Sequence, residues 1–331
     1  MGLAAIIGLS VLLYWGMSRV ESVVKRVVEV CSEFLFEREE HVKVLTLATV
    51  VGGHVLVEGV PGVAKTLTAK AVARAMDLKF SRVQMTPDLL PSDIVGSKVY
   101  DQKLGDFKVV LGPIHANLVL VDEINRASPR TQSALLEAMQ ERQVTIEGEV
   151  FKLPEPFVVV ATMNPVEVEG VFPLPEAQLD RFMVKLPMGG LSREGMKRFL
   201  RVEQRFIEES FERLKPVVHR SEILEARGEL SRVWVDESVI DYVIRLAEAL
   251  NSHRAVRLGL SPRGASMLLH FSKALALAEG RDYVIPDDVK LASLYVIPHR
   301  IVLKPEFLTE GLYRREAVVR EVLGRVEVPR P

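Results

Sequence analysis

Glu58-Gly-Val-Pro-Gly-Val-Ala-Lys-Thr66 is the stretch that decides the fold. The short apolar run His54-Val-Leu-Val leads into it, and an alanine-rich helical pattern over residues 65–76 leaves it. A loop of small residues between a strand and a helix lets successive backbone N–H groups close around anionic oxygens, and the helix N-terminus favours negative charge. In such a loop Gly59, Val60, Pro61, Gly62, Val63 and Ala64 form a phosphate cradle. Lys65 reaches the β- and γ-phosphates of a nucleotide, and Thr66 offers its hydroxyl to Mg2+. The strict pattern has glycine before the lysine. Ala64 stands there instead, and as a residue entering the helix it is expected in the right-handed region that alanine tolerates. The competing reading is a Gly-Pro turn that merely precedes a helix.

Outward from the loop, short apolar strands alternate with helical patterns. Residues 79–85, 118–121, 157–162 and 184–186 read as further strands, and residues 128–140 as an amphipathic helix. Upstream, valines at helical spacing between Val20 and Val51 predict two helices, broken near the Glu37–Glu40 charges, which read as a solvated turn. The alternation predicts an α/β fold with a five-stranded parallel sheet covered by helices on both faces. Two inserted hairpins are expected, one over residues 101–113 and one over residues 143–153, turning at Glu147-Gly148. After Pro187 the strand signals stop. Residues 192–209, 220–227, 237–253, 262–279 and 286–296 read as helices, with Asp236 and Ser261-Pro262 as start signals. The expected division is an apolar segment over 1–18, a nucleotide-binding αβα domain over 19–187 and an all-helical lid over 188–331.

The bulk properties agree with a folded chain. Of 331 residues, 48% are hydrophobic and 26% charged, too apolar for disorder. The 43 basic and 44 acidic side chains leave a formal net charge of −1, without the basic excess of a duplex-DNA binder. A single cysteine, Cys31, excludes an intramolecular disulfide and a cysteine metal site; its apolar helical context predicts an unreactive core thiol in a reducing compartment. The histidines lack zinc-site spacing. Trp15 is expected in an anchor and Trp234 in the core. Residues 1–18 carry no charged side chain, and Arg19, Lys25 and Arg26 follow them. As a helix they span roughly 26 Å, slightly short of a ~30 Å hydrocarbon core. No basic residue precedes the run, unlike a secretory signal, and the flanking charges place the rest of the chain on the cytoplasmic side. A membrane anchor, a helix packed elsewhere and a displaced start site all fit this segment. The expected setting is cytoplasmic, with or without a tether.

Five further residues carry chemistry. Leu118-Val-Leu-Val-Asp-Glu123 brings two carboxylates to the end of an apolar strand. Asp122 suits Mg2+ held through water, and Glu123 suits polarising an attacking water; acids ending a strand are common without such a role. Asn164 ends the next strand, where it orients a water or serves as the turn residue before Pro165. Arg181 reads as an arginine finger toward a neighbour's nucleotide, or as a surface ion pair. Arg263 opens a helix of the lid, where it contacts the γ-phosphate within the same chain.

Together these residues resemble the MoxR family of AAA+ ATPases. The likeness rests on the loop and on Arg82-Val-Gln-Met-Thr-Pro-Asp-Leu-Leu-Pro-Ser-Asp93. It continues in Asp122-Glu-Ile-Asn-Arg-Ala127, Thr131-Gln-Ser-Ala-Leu-Leu-Glu-Ala-Met-Gln-Glu141, Phe172-Pro-Leu-Pro-Glu-Ala-Gln-Leu-Asp-Arg-Phe182 and Ser261-Pro-Arg263. It runs from about residue 54 to about residue 300, and Ala64 is usual in that family. The resemblance implies a hexamer-type ring with MgATP between subunits, sensor 1 at Asn164, the arginine finger at Arg181 and sensor 2 at Arg263. It also implies chaperone-like remodelling of protein clients, often with a partner carrying a von Willebrand factor A-type domain. One departure is local: Phe34-Leu-Phe-Glu-Arg-Glu39 stands where the family has a Val-Gly-Gln segment near the adenine. Three rival readings are a nucleic-acid motor, a chelatase-type motor subunit and a nucleotide-gated scaffold. The motor would need a basic hairpin track. Lys103, Lys108 and Asp106 in one hairpin, and Glu147, Glu149 and Lys152 in the other, do not make one, and no nucleic acid is expected.

Overall fold

The structure, a computed structural model, describes residues 17–103, 105–165, 170–202, 204–309 and 314–329. Strands β1 (His54–Glu58), β2 (Phe80–Gln84), β5 (Leu118–Asp122), β8 (Val158–Met163) and β9 (Phe182–Pro187) form one parallel sheet in the order β2-β5-β8-β1-β9. Successive strand side chains leave opposite faces. Val55, Val57, Leu118, Leu120, Val158 and Val160 therefore enter one core. Leu56, Val119, Val121 and Val159 enter the other. Both faces are dry, which is why these strands read as continuous apolar runs.

The first face is covered by α1 (Arg19–Ser32), α2 (Glu39–Val51) and α3 (Lys65–Ala75). The second is covered by α4 (Pro91–Val95), α5 (Pro129–Glu141) and the hairpin of β6 (Gln143–Ile146) with β7 (Glu149–Lys152). In α1 the buried Val20, Val23, Val24, Val27 and Cys31 make one stripe. Each fully buried valine contributes roughly 1.5 kcal/mol before entropy is counted. Ser18 caps this helix by accepting from the Glu21 N–H, and its hydroxyl donates to Leu277 O at 2.6 Å. The first helix thus packs on α2 and also on two helices of the C-terminal half, α9 (Arg220–Glu229) and α11 (Pro262–Ala278).

The remaining elements are α6 (Glu176–Leu179), α7 (Arg193–Arg201), α8 (Gln204–Arg213), α10 (Glu237–Ser252), α12 (Pro286–Val296), α13 (Pro305–Thr309) and α14 (Arg315–Arg325). Several expectations need correction. The helix read over 192–209 is two, because Val202 takes extended backbone after α7. Strands do not stop at Pro187: β10 (Val256–Leu258) pairs with β11 (Val302–Leu303), each too short for an alternating pattern. The first hairpin begins earlier than residue 101. Its arms are β3 (Gly96–Asp101) and β4 (Asp106–Leu111), and β3 follows α4 directly through Gly96 at φ 111°, without a turn signal. Trp234 is not core but 61% exposed. The second hairpin turns at Glu147-Gly148, both left-handed, as the tight turn requires. The apolar segment over 1–18 lies outside the described residues except for Met17 and Ser18. Among the described residues no helix is long and apolar enough to cross a membrane.

One buried side chain locks the sheet to α5. His54, 6% exposed at the start of β1, accepts the Val159 N–H on Nδ1 and meets Met139 O through Nε2, both at 3.0 Å. With Nδ1 an acceptor, Nε2 carries the proton, and the ring is neutral. Burial pushes its pKa from 6.5 to about 4. The unfolded chain therefore binds a proton between those values that the folded chain refuses, so stability falls as pH drops through that window. Lowering pH from 7 to 5 should cost about 2 kcal/mol from this group. Melting temperatures across pH 7 to 5 should fall for the parent and fall less for His54→Gln; equal slopes would refute the assignment.

Candidate nucleotide-binding site

The loop leaves the carboxyl end of β1 with its backbone crowded. A Cβ added at Gly59 would lie 2.4 Å from Met188 O, so only glycine fits. Gly62 takes φ 83° and faces open space, with nothing within 4 Å of an added Cβ. Ala64 departs from expectation: it is left-handed, at φ 66° and ψ 25°. The reason is its place as the N-cap of α3 rather than the first helical residue, since caps adopt non-helical angles. A left-handed alanine costs about 1 kcal/mol that glycine would not. Lys65 opens α3 and its ammonium donates to Gly59 O at 2.6 Å, inside the loop. Thr66 is half-buried at the second helical position, and the first turn of α3 carries no acid to neutralise its dipole.

The acidic pair sits at the same edge of the sheet. Asp122 is 6% exposed; its Oδ2 accepts from Arg82 Nε at 2.6 Å and its Oδ1 from Thr162 Oγ1 at 3.2 Å. Glu123 is left-handed at φ 58°, with its N–H bonded to Thr162 Oγ1 at 2.9 Å. Its Oε2 accepts from Gln84 Nε2 at 2.8 Å and lies 3.0 Å from Arg126 Nε. Arg82 and Gln84 stand two apart on β2, hence on one face, and β2 borders β5. The sequence held that signal, but only the strand order tells which acids they meet. Asn164, 7% exposed, follows β8, the strand between β5 and β1. The loop, the acids and the amide thus end three adjacent strands on one side. The oxygen donors of Thr66 and Asp122 suit Mg2+, and the open cradle at Gly62 suits a triphosphate.

The two arginines lie at the amino end of the sheet, opposite the loop. Arg181 precedes β9, whose Phe182 pairs with His54, and Arg263 is near enough to His54 to lower its pKa. The expected contact of Arg263 with a nucleotide on its own chain is therefore not met. Arg181 is half-exposed between α6 and β9, and Arg263 is exposed in the first turn of α11. Among the described residues neither guanidinium makes a hydrogen bond or ion pair. Their supports are linked. Arg300, just after α12, binds Asp180 Oδ1 at 2.9 Å and Met183 O at 3.0 Å, gripping the turn that carries Arg181. Its Cδ also approaches Gly264, beside Arg263. Burial lowers the Arg300 pKa to about 10, so it remains a cation.

Comparison with known proteins agrees with this geometry. The profile described as "ATPase family associated with various cellular activities (AAA)" matches residues 54–184, and "AAA lid domain" matches residues 248–322. The uncharacterized protein YeaC of Bacillus subtilis is 45% identical over 87% of this chain and 89% of its own. The Mycobacterium tuberculosis protein named Chaperone MoxR1 is 42% identical over 84% of this chain and 74% of its own. The chain belongs to the MoxR family of AAA+ ATPases. The crystal structure of a putative ATPase from Cytophaga hutchinsonii superposes with a TM-score of 0.86 at 37% identity, covering 99% of this chain and all of that one.

Beside the loop over residues 59–66 this ATPase has a cavity of about 270 Å3, mainly apolar, between the α1–α2 connection and α7. Phe34, Leu35 and Phe36 line one side, Pro61 and Val63 the loop side, and Met196 and Phe199 the far side. Residues 34–38 therefore do border the loop, although their sequence is not the usual family segment. The charge cluster here is only in part a solvated turn, with Glu39 and Glu40 exposed and Arg38 not. Arg38 is 4% exposed, and its guanidinium bonds backbone carbonyls. Composition alone hid this, because a Glu-Arg-Glu-Glu run reads as surface.

Left-handed Ala64 gives a direct test. Ala64→Gly should melt no lower than the parent. Ala64→Val, whose branched side chain resists that region, should lose ADP affinity by about tenfold or more in equilibrium titration. Equal affinity of the valine variant would show that the loop does not need that backbone.

Proposed function

We propose that the ATPase binds MgATP against residues 59–66, hydrolyses it within a ring of its own copies, and uses the turnover to remodel protein partners. The observation that carries this reading is the strand order: β8, ending in Asn164, lies between β1, which opens into the loop, and β5, which ends in Asp122. In this reading residues 19–187 form the nucleotide-binding domain and residues 188–331 the lid.

Residues 59–64 would cradle the phosphates with backbone N–H groups, and Lys65 would leave Gly59 O for the β- and γ-phosphates. Thr66 and Asp122 would hold Mg2+, which when bound neutralises charge on the phosphate oxygens. Glu123 accepts a hydrogen bond from the attacking water and draws off its proton, and Asn164 orients that water. Gln84 and Arg126 hold the Glu123 carboxylate in place. Arg181 and Arg263, at the end of the sheet opposite the loop, would each reach the γ-phosphate of a neighbouring copy. Their lack of partners among the described residues supports both roles. The apolar cavity beside the loop suits the base. The relative named Chaperone MoxR1 supports remodelling of proteins. The family resemblance supports a partner with a von Willebrand factor A-type domain.

Glu123→Gln should retain ATP binding in equilibrium titration while steady-state turnover falls by about 100-fold or more; near-parental hydrolysis would remove Glu123 from the reaction. Arg181→Ala should lower turnover by roughly 1000-fold even in concentrated protein, and should suppress parental activity when the two are mixed. Purely additive activity in the mixture would rule out action across an interface.

A further inference from the structure

Glu37 and Arg38 form a strap whose contacts exceed those of a turn. The Glu37 backbone is left-handed at φ 52°, a costly state for glutamate. Its carboxylate accepts both the N–H and the hydroxyl of Ser192, and Ser192 in turn caps α7 by accepting from the Gly195 N–H. The approach is so close that a Cβ at Gly195 would lie 2.4 Å from the Glu37 carboxyl carbon. Arg38 points the other way. Its terminal nitrogens donate to Glu37 O at 2.9 Å and Gly189 O at 2.8 Å, and its Nε donates a longer bond, 3.4 Å, to Val63 O in the phosphate loop. Burial depresses its pKa, as expected for a cation whose close partners are carbonyl dipoles.

The bond to Val63 bears on the next residue. Across a planar trans peptide the carbonyl of Val63 and the N–H of Ala64 point in opposite directions. A guanidinium holding the carbonyl outward therefore turns the Ala64 N–H inward, toward the cradle. Ala64 is the residue held left-handed at a cost that glycine would avoid. The same guanidinium fixes Gly189, next to the Met188 carbonyl that crowds Gly59.

We propose that Arg38 is a positioning residue for nucleotide binding, holding residues 62–64 in the phosphate-binding conformation and anchored in turn by the Glu37–Ser192 contact with α7. This rests on the reading of residues 59–66 as the phosphate site. Adenosine, ADP and ATP are the probes, titrated at equilibrium well below the melting temperature. ADP binding by the parent tests the phosphate site itself, separately from Arg38. Arg38→Met should weaken ADP and ATP by about tenfold and change adenosine by less than about twofold. At saturating ATP its kcat should stay within about threefold, so the loss appears in KM. Because the role is conformational, Arg38→Met with Ala64→Gly should recover most of the ADP affinity. Arg38→Lys, which keeps a donor cation, should fall between parent and Arg38→Met and gives the same test if the methionine variant fails to fold. Unchanged ADP affinity in both Arg38 variants would overturn the proposal. So would equal losses for adenosine and ADP, or no recovery on adding Ala64→Gly.

Discussion

The sheet is buried on both faces, and that constraint distributes the chemistry of the molecule. In β1, β5 and β8 alternate residues enter two separate cores, so a charge midway along a strand would meet apolar side chains whichever way it pointed. Polar groups are accordingly confined to strand ends, where the backbone emerges from cover. Gly59, Asp122 and Asn164 are the residues at or just beyond those ends. Because the strands are parallel, their carboxyl ends lie on one side, and the order β5-β8-β1 makes them neighbours. Clustering of the loop, the acids and the amide follows from how the core is covered.

Part of the backbone strain lies at the same edge, the rest at Asp77, Arg142 and Glu147. Glu37, Ala64 and Glu123 are all left-handed, and none is glycine. Each is held by what surrounds it. Glu37 has Ser192, Ala64 lies between the Val63 carbonyl and the first turn of α3, and Glu123 donates its N–H to Thr162. Backbone held in costly conformations by converging hydrogen bonds is set before a ligand arrives, which lowers the ordering cost of binding.

Much of this was legible in the sequence. The five strands, α5 and the second hairpin carry strong local signals: dense apolar runs, Ser128 before Pro129, and Glu147-Gly148 in a tight turn. The loop, Asp122 and Glu123 were readable because small residues and acids at strand ends have few other uses together. What escaped was non-local. Arg82 and Gln84 look like ordinary edge-strand residues until β2 is set beside β5. Arg38 looks solvated because a run of charges gives no hint that three backbone segments converge on one of them. Trp234 looks like core by residue type, yet it stands exposed, bonded through its backbone to Asp282. Ala64 is the cap of α3 and not its first member, a shift of one position that residue type does not reveal.

The unreactive thiol has a practical consequence. Cys31 is the one cysteine of the chain, fully buried in the stripe of α1, and burial pushes its pKa up to about 12. Little of it is thiolate at neutral pH, so slow reaction with oxidants and alkylating dyes is expected. A cysteine introduced on the exposed side of α7, or on the tip of the first hairpin, would be the sole labelling site in an otherwise native chain. Motion at that position can then be followed by fluorescence or spin labels without first stripping the protein of its own sulfhydryl.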